Sequence, residues 1–340
     1  MNAPLYVSRP AVALPATRVD NDQLMALIRN EYRGEPARWS ALEDAIRFIL
    51  ARCNTRVRYF DSDPDASVGR FGARVVSDCL VENDWRPCDV DMLIYGGIAR
   101  HYFEPATAME VCARSGIEAV HAFDITSACA GFLDAIHTTC AYFALHPELS
   151  RAIVCSAELS HGCLDFDVQQ PSDLLRKAAG LTIGNGAAAV AISREPFEGG
   201  CLQLNQMGHR SAPMHYGLCR VPINGVFDSR STELQRLNVL VLPEVHRLLA
   251  GVGWTVQDID HCVFHQPGDA LVLDTAAMLG VPSHKVPLTH QFFANTATTT
   301  VPFALHHLAS EDLLVADDKL VLCTAAAGFT VVTGAGVWVS

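Results

Sequence analysis

Short apolar runs alternate along the chain with longer stretches whose apolar residues recur at helical spacing. Met92–Tyr95, 152–155, 187–192, 262–264 and 320–323, with the terminal 331–339 region, are short and carry little polar alternation. They read as strands buried on both faces. Gly131–Leu145 and 301–308, lying between such runs, are helix-compatible. Strands alternating with helices predict an α/β architecture with covered sheets.

Two segments match when laid side by side: "WRPCDVDMLIYGG" from Trp85 and "WTVQDIDHCVFHQ" from Trp254. Trp85/Trp254, Asp89/Asp258 and Asp91/Asp260 share one offset. A helical stretch precedes each Trp and a short apolar run follows each second Asp. Spacing, residue types and flanking elements together predict a duplication. The charged, Gly-ended stretch "SREPFEGG", residues 193–200, is where one half gives way to the next. The chain divides accordingly into 1–195 and 196–340.

With 340 residues, half of them hydrophobic and 18% charged, the chain has the composition of a globular protein with a large core. A formal net charge of -12 and the lack of any Lys/Arg run exclude a general nucleic-acid surface. The opening "MNAPLYVSRP" has no leader pattern. The uncharged "LVLCTAAAGFTVVTGAGVWV" has membrane-like length, but its Gly and Thr content and the break at "AAAG" predict two buried strands and a turn. Twelve cysteines occur without a C-x-x-C or a paired Cys/His ligand spacing, so no metal is expected. They read as reduced thiols of a cytoplasmic protein.

Three residues carry candidate chemistry. Cys129, in "DITSACAGF", follows strand-like "AFDI" and precedes a helix. A helix start favours thiolate, and small neighbours leave room for a substrate carbonyl. A packed structural thiol is the alternative. His265, in "VFHQPGD", leaves the end of the second repeated strand, where α/β sheets place their sites. Asn295, in "FFANTATTTVPFAL", is either a helix cap or an amide donor to a developing oxyanion.

Taken together, "DITSACAGF", "VFHQPGD" and "ANTATTTVPFAL" resemble the ketoacyl-acyl-carrier-protein synthase III branch of the thiolase superfamily, in order and over essentially the whole chain. The early "VALPATRVDNDQL" and "LTIGNGAAAVAIS" are similar to its opening and its Gly-rich strand. The resemblance implies a five-layer αβαβα sandwich of two duplicated halves. It implies a Cys129–His265–Asn295 site in which Cys129 takes an acyl group from a CoA or carrier-protein thioester. His265 and Asn295 then hold the thioester carbonyl of a malonyl-type extender through decarboxylation. The backbone N–H groups of Cys129 and Ala327 make the oxyanion hole, and Gly328 belongs with the substrate-binding residues. Phe103 either reaches into a partner subunit's acyl pocket or is a core aromatic. Arg56 and Arg58 either flank the pantetheine entrance or sit on a solvated turn.

No cofactor is implied beyond CoA or phosphopantetheine thioesters as substrates. The implied partners are acyl-CoA or acyl carrier protein and a second copy in a homodimer, with neither nucleic acid nor membrane. Departures from the family pattern are "TAAAGF", with alanines where glycines are usual, and "HQPGD", with Gly268 in place of an asparagine and no arginine following. The missing asparagine and arginine point away from a standard fatty-acid partner, and the longer N-terminal helical part resembles specialised relatives that make aromatic or polyketide metabolites. Two other readings stand beside condensation: acyl transfer from Cys129 to a hydroxyl or amine, and a non-catalytic subunit of a heterodimer.

Overall fold

The computed structural model describes residues 4–340 apart from 62, 64–65, 119 and 224. Part of the opening segment read for a leader, residues 1–3, lies outside the described residues. The first half contributes β1 (Leu5–Ser8), β2 (Ala11–Ala13), β3 (Thr17–Asp20), α1 (Asn21–Glu31), α2 (Pro36–Cys53), β4 (Val57–Phe60), α3 (Val68–Glu82), β5 (Met92–Tyr95), α4 (Thr107–Ser115), β6 (His121–Asp124), α5 (Gly131–Leu145), β7 (Arg151–Glu158), α6 (Leu174–Lys177) and β8 (Gly186–Ser193). The second contributes β9 (Cys201–Ser211), β10 (Cys219–Arg220), β11 (Asp228–Ser229), α7 (Ser231–Arg236), α8 (Val241–Val252), β12 (His261–Phe264), α9 (Asp269–Leu279), α10 (His290–Phe293), α11 (Thr300–Ser310), β13 (Lys319–Ala326) and β14 (Thr330–Val339).

Among the described residues, ten strands join in one sheet along the path β12-β13-β14-β9-β1-β8-β7-β5-β6, with β2 also paired to β8; β3 pairs with β4 and β10 with β11 in separate two-stranded sheets. Successive side chains of a strand point to opposite faces, and each face finds its own core. On β5, Met92 and Ile94 enter the central cluster while Leu93 and Tyr95 meet α3 and α4. On β12, Val263 enters the same central cluster while Cys262 and Phe264 meet α8 and α9. Helices α5 and α11 fill that centre. The layers are therefore helix, sheet, helix, sheet, helix, the five-layer sandwich that the sequence resemblance implies. A further cluster packs α1 and α2 against β4 and the 164–183 segment as a cap on the first half.

The repeated sequence is a repeated structure. The Asp91 amide donates to Arg151 O, and the Arg151 amide donates back to Asp91 Oδ2. Asp260 and Lys319 make the same reciprocal pair. Trp85 carries the Arg151 guanidinium on its ring, 5.3 Å from the centroid, and Trp254 carries the Lys319 ammonium at 5.4 Å. Asp89 and Asp258 add ion pairs to the same two cations, at 3.7 and 3.5 Å. Each set fastens the start of one parallel strand to the start of the next.

The terminal apolar stretch forms β13, a turn and β14, as its composition predicts. Strand β9 escapes the hydrophobic pattern because its second half, "NQMGHRS", is polar and partly exposed. One helical stretch, Ala128–Leu145, has the length and hydropathy of a membrane span, but half of it is buried inside the fold.

Candidate active site

After β6 the chain turns sharply into α5. Ala128 takes a left-handed φ of +46°, and the Ala130 and Gly131 amides donate back to Ser127 O and Ala128 O, both at 3.0 Å. An L-residue in that region costs about 1–2 kcal/mol, a strain that proteins keep at functional positions. Cys129 stands at this turn, two residues before the first residue of α5. Gly131 and Gly96 touch backbone to backbone, and a Cβ on either would collide with the other. The missing side chains let α5 start directly over the end of β5.

The thiol does not behave as a helix-start cysteine is expected to. Burial pushes the Cys129 thiol well above its ordinary value, and nearby Cys219 and Glu158 push it the same way. Desolvation outweighs the helix start, so the resting group is a thiol that needs a base.

His265 follows β12 directly, its amide bonded to Cys323 O at 2.8 Å. It is buried, and burial followed by the neighbouring His290 lowers its imidazolium to about 3. At neutral pH it is a neutral imidazole able to accept a proton. Its Nδ1 lies 2.6 Å from Thr300 Oγ1, and that hydroxyl also lies 3.2 Å from Ala297 O. When the hydroxyl donates to the carbonyl it accepts from Nδ1–H, which leaves the lone pair on Nε2. When it turns to donate to Nδ1, the proton belongs on Nε2. The Gln266 side chain braces the same loop by donating to Phe264 O and Pro287 O, at 2.9 and 3.2 Å. His290, fully buried, joins Gln266 O to Thr55 Oγ1, at 2.9 and 2.7 Å.

Asn295 lies between two strained alanines, Ala294 (φ +60°) and Ala297 (φ +53°). Its backbone is clamped to the first half, donating to Thr182 O at 2.9 Å and accepting from Gly184 N at 3.0 Å. Its Oδ1 accepts from Ala297 N at 3.0 Å. Among the described residues the amide NH2 has no partner, so two oriented donors remain for a ligand. The bond to Oδ1 holds the first residue of a 3-10 turn, Ala297–Thr299, that leads into α11 at Thr300, so Asn295 braces the helix entry through Oδ1 while its NH2 stays spare.

The 295–300 segment joins these parts. Thr300 holds His265; Thr298 lies beside Gly131, donates to Glu158 Oε1 at 2.5 Å and meets Ser156 Oγ at 2.5 Å. Glu158 is buried, and burial raises its carboxyl above the usual range although Ile98 N and Ala99 N also donate to it, at 2.9 and 3.1 Å. No hydrogen bond links the Cys129, His265 and Asn295 side chains directly among the described residues. A cavity of about 50 Å³ lies beside His265, lined also by Phe264, Pro267, Leu271, Thr275 and Ala325. Cys129 is not part of its lining.

The other expected residues fall in varied places. Ala327 sits in the β13–β14 turn, where positive φ falls on Gly328 (+77°) and Phe329 (+49°). The alanines of "TAAAGF" thus avoid the conformation that requires glycine. Phe103 is 81% exposed, so the core-aromatic alternative is wrong. Arg56 is exposed and bonded to Asn54, whose side chain reaches Asp269 at the start of α9. Arg58 does not stand at an entrance or on a solvated turn: it is completely buried, donating to Asp20 O and Asn21 Oδ1, at 3.1 and 2.9 Å. Burial lowers its guanidinium to about 10, and its buried Nε has no hydrogen-bond partner among the described residues. Thr298, Thr300, Glu158 and His290 were not singled out in the sequence; the run of threonines after Asn295 was the one available signal.

Residues 123–208 match the family model for 3-oxoacyl-[acyl-carrier-protein] synthase III, and residues 249–338 match the model for its C-terminal part. The chain belongs to this synthase III family. The β-ketoacyl-[acyl-carrier-protein] synthase III of Sphingopyxis alaskensis is 28% identical over 94% of each chain. A Streptomyces coelicolor synthase III is 27% identical over 98% of this chain and 93% of its own. Among solved structures, the synthase III of Pseudomonas aeruginosa superposes with a TM-score of 0.83 at 22% identity, over 99% of both chains. OleA of Xanthomonas campestris, with lauric acid and lauroyl-CoA bound, superposes at 0.87 and 18% identity over 99% of this chain and 100% of its own. As a synthase III, the chain is an acyl-transferring condensing enzyme.

Proposed function

We propose that this synthase III joins an acyl group carried on Cys129 to a malonyl-type thioester by decarboxylative Claisen condensation, with CoA or a carrier protein bearing the thioesters. The observation that carries the reading is the Asn295 amide, fixed through Oδ1 with its donors spare, on the same segment that sets the tautomer of His265. Pure acyl transfer forms no enolate and has no use for such a donor.

In the first half-reaction the neutral Nε2 of His265 takes the Cys129 proton as sulfur attacks the acyl thioester. The tetrahedral oxyanion rests on the Cys129 and Ala327 amides, and the departing thiolate takes the proton back. In the second, the extender binds with its thioester oxygen towards Asn295 Nδ2 and His265 Nε2–H. Between the half-reactions the imidazole gives up its Nδ1 proton and gains one on Nε2 by exchange with solvent, and the Thr300 hydroxyl turns from Ala297 O to donate to Nδ1. Loss of CO2 leaves an enolate whose growing charge strengthens both hydrogen bonds. The carbanion attacks the acyl-cysteine, the oxyanion hole is used again, and collapse breaks the C–S bond, giving the β-ketoacyl thioester and a Cys129 thiolate that takes up a solvent proton to restore the resting thiol.

Arg56 at the rim, near Asp269, and Gly328 beside Ala327 complete the substrate path. The connection between β8 and β9 serves as the boundary between 1–195 and 196–340. A homodimer is the assembly that fits best, since β6 pairs on one side only and Phe103 needs a covering surface. The loss of the family's asparagine and arginine at "HQPGD" favours a specialised-metabolite pathway over a standard fatty-acid one.

The test is intact-protein mass after incubation with acyl-CoA, followed by a malonyl thioester. The proposal expects one acyl adduct, lost from Cys129→Ala, and then CO2 release with a β-ketoacyl product. An adduct that transfers only to alcohols or amines supports the acyltransferase reading, and no adduct supports a non-catalytic subunit.

A further inference from the structure

One turn into α5, beyond the catalytic turn, stands a polar group that the condensation does not use. Asp134 and His137 lie one turn apart on the same face of the helix, and His209 of β9 closes the group. One ligand atom from each of the three lies within 4.8 Å of the other two. Asp134 is buried, and among the described residues its carboxylate pairs with no Lys or Arg. Its Oδ1 is 2.8 Å from His209 Nδ1. On the far side of that ring, Nε2 is 3.2 Å from Ser211 Oγ, which is 2.8 Å from Thr330 Oγ1 on β14. The His137 ring makes no hydrogen bond among the described residues.

We propose that Asp134, His137 and His209 bind one divalent transition-metal ion, zinc above all, and that the ion ties α5 to β9. One carboxylate and two imidazoles form a borderline donor set. It suits zinc, cobalt or iron(II) better than calcium or magnesium, which take oxygen, or copper(I), which takes sulfur. His209 coordinates through Nδ1 while its Nε2–H donates to Ser211. Such an outer partner fixes the tautomer of a metal-bound histidine. His209 is exposed, so water fills the remaining positions. Ligand spacing along the chain could not reveal this site, because His209 comes from another strand of the fold. An ion here braces the helix that begins beside Cys129 and stabilises the folded chain by binding it alone.

Chelator-treated full-length protein, titrated with zinc by calorimetry and with cobalt(II) by visible absorption, tests this. One equivalent per chain, cobalt d–d bands and a rise in melting temperature are expected. His209→Ala and His137→Gln should each weaken zinc binding by more than about 10-fold, since losing only an outer partner costs about 10- to 100-fold. His146→Ala and Cys129→Ser should bind as wild type does. Circular dichroism checks that each variant is folded. Absence of binding, equal binding in both histidine variants, or loss of binding in Cys129→Ser instead would overturn the proposal. If His209→Ala fails to fold, His137→Gln decides alone.

Discussion

Gly96 and His265 occupy the same position in the two halves, at the offset that separates Trp85 from Trp254. Both follow a repeated parallel strand, and both donate their amide to the next strand, to Cys155 O and Cys323 O, at 2.8 Å each. What stands opposite also corresponds. Gly131, the first residue of α5, meets Gly96; Thr300, the first residue of α11 at the same offset, meets His265. One half has removed both side chains so that a helix can seat a cysteine over the strand end. The other has kept both, and they form an imidazole–hydroxyl pair. In the proposed mechanism, a single inherited geometry thus serves a nucleophile on one side and a proton carrier on the other.

Making the second half like the first is the most damaging way to break this comparison. His265→Gly removes the base and should slow acylation of Cys129 by about 100- to 10,000-fold, read by intact-protein mass. The reverse change, Gly96→Ala, puts a Cβ 2.5 Å from Gly131 O and forces α5 to move. It should destabilise the fold by about 1–3 kcal/mol, the usual range for overpacking, measured by urea unfolding. Thr300→Val keeps the shape of the pair but leaves Nδ1 unpaired. Its cost of about 1–3 kcal/mol should fall on both half-reactions, because the hydroxyl serves both tautomers. The smallest effect should be the most symmetric: Arg151→Met and Lys319→Met each remove a cation from a Trp ring, worth about 0.5–1 kcal/mol at partly exposed sites. Unequal losses there would say that the two fasteners have diverged.

Acid sharpens the same contrast. His265 and His290 titrate near 3 and 4 in the fold, both lowered by burial, against an ordinary value of 6.5. Between those limits the unfolded chain binds more protons than the folded one, so stability falls as pH drops from about 6.5 towards 3. Above 6.5 these groups add no slope. Melting temperature against pH should show this window, and His290→Gln should flatten part of it. Acylation, in turn, should show no loss from His265 protonation between pH 8 and 6.

The fold was legible because its duplication left matched Trp and Asp residues, and because strands buried on both faces are short and uniformly apolar. His265 and Asn295 could be picked out as candidates from their place after a strand and before a helix. Thr298, Thr300 and Glu158 were not, since each acts through a partner distant in sequence. The sign of the Cys129 shift was missed for a related reason: a helix start is visible in a sequence, while the burial that outweighs it depends on the whole fold. Arg58 illustrates the same limit, because nothing in "NTRVRYF" tells a surface guanidinium from one on β4 enclosed against the start of α1.

The account stands on Asn295 acting on the enolate, and one experiment reaches it directly. Acylation of Cys129 and CO2 release from a malonyl thioester are measured on the same preparation of Asn295→Ala. Acylation should stay near wild type while CO2 release falls by about 100- to 1000-fold, the cost of losing one oxyanion donor. Equal CO2 release in variant and wild type would contradict the account.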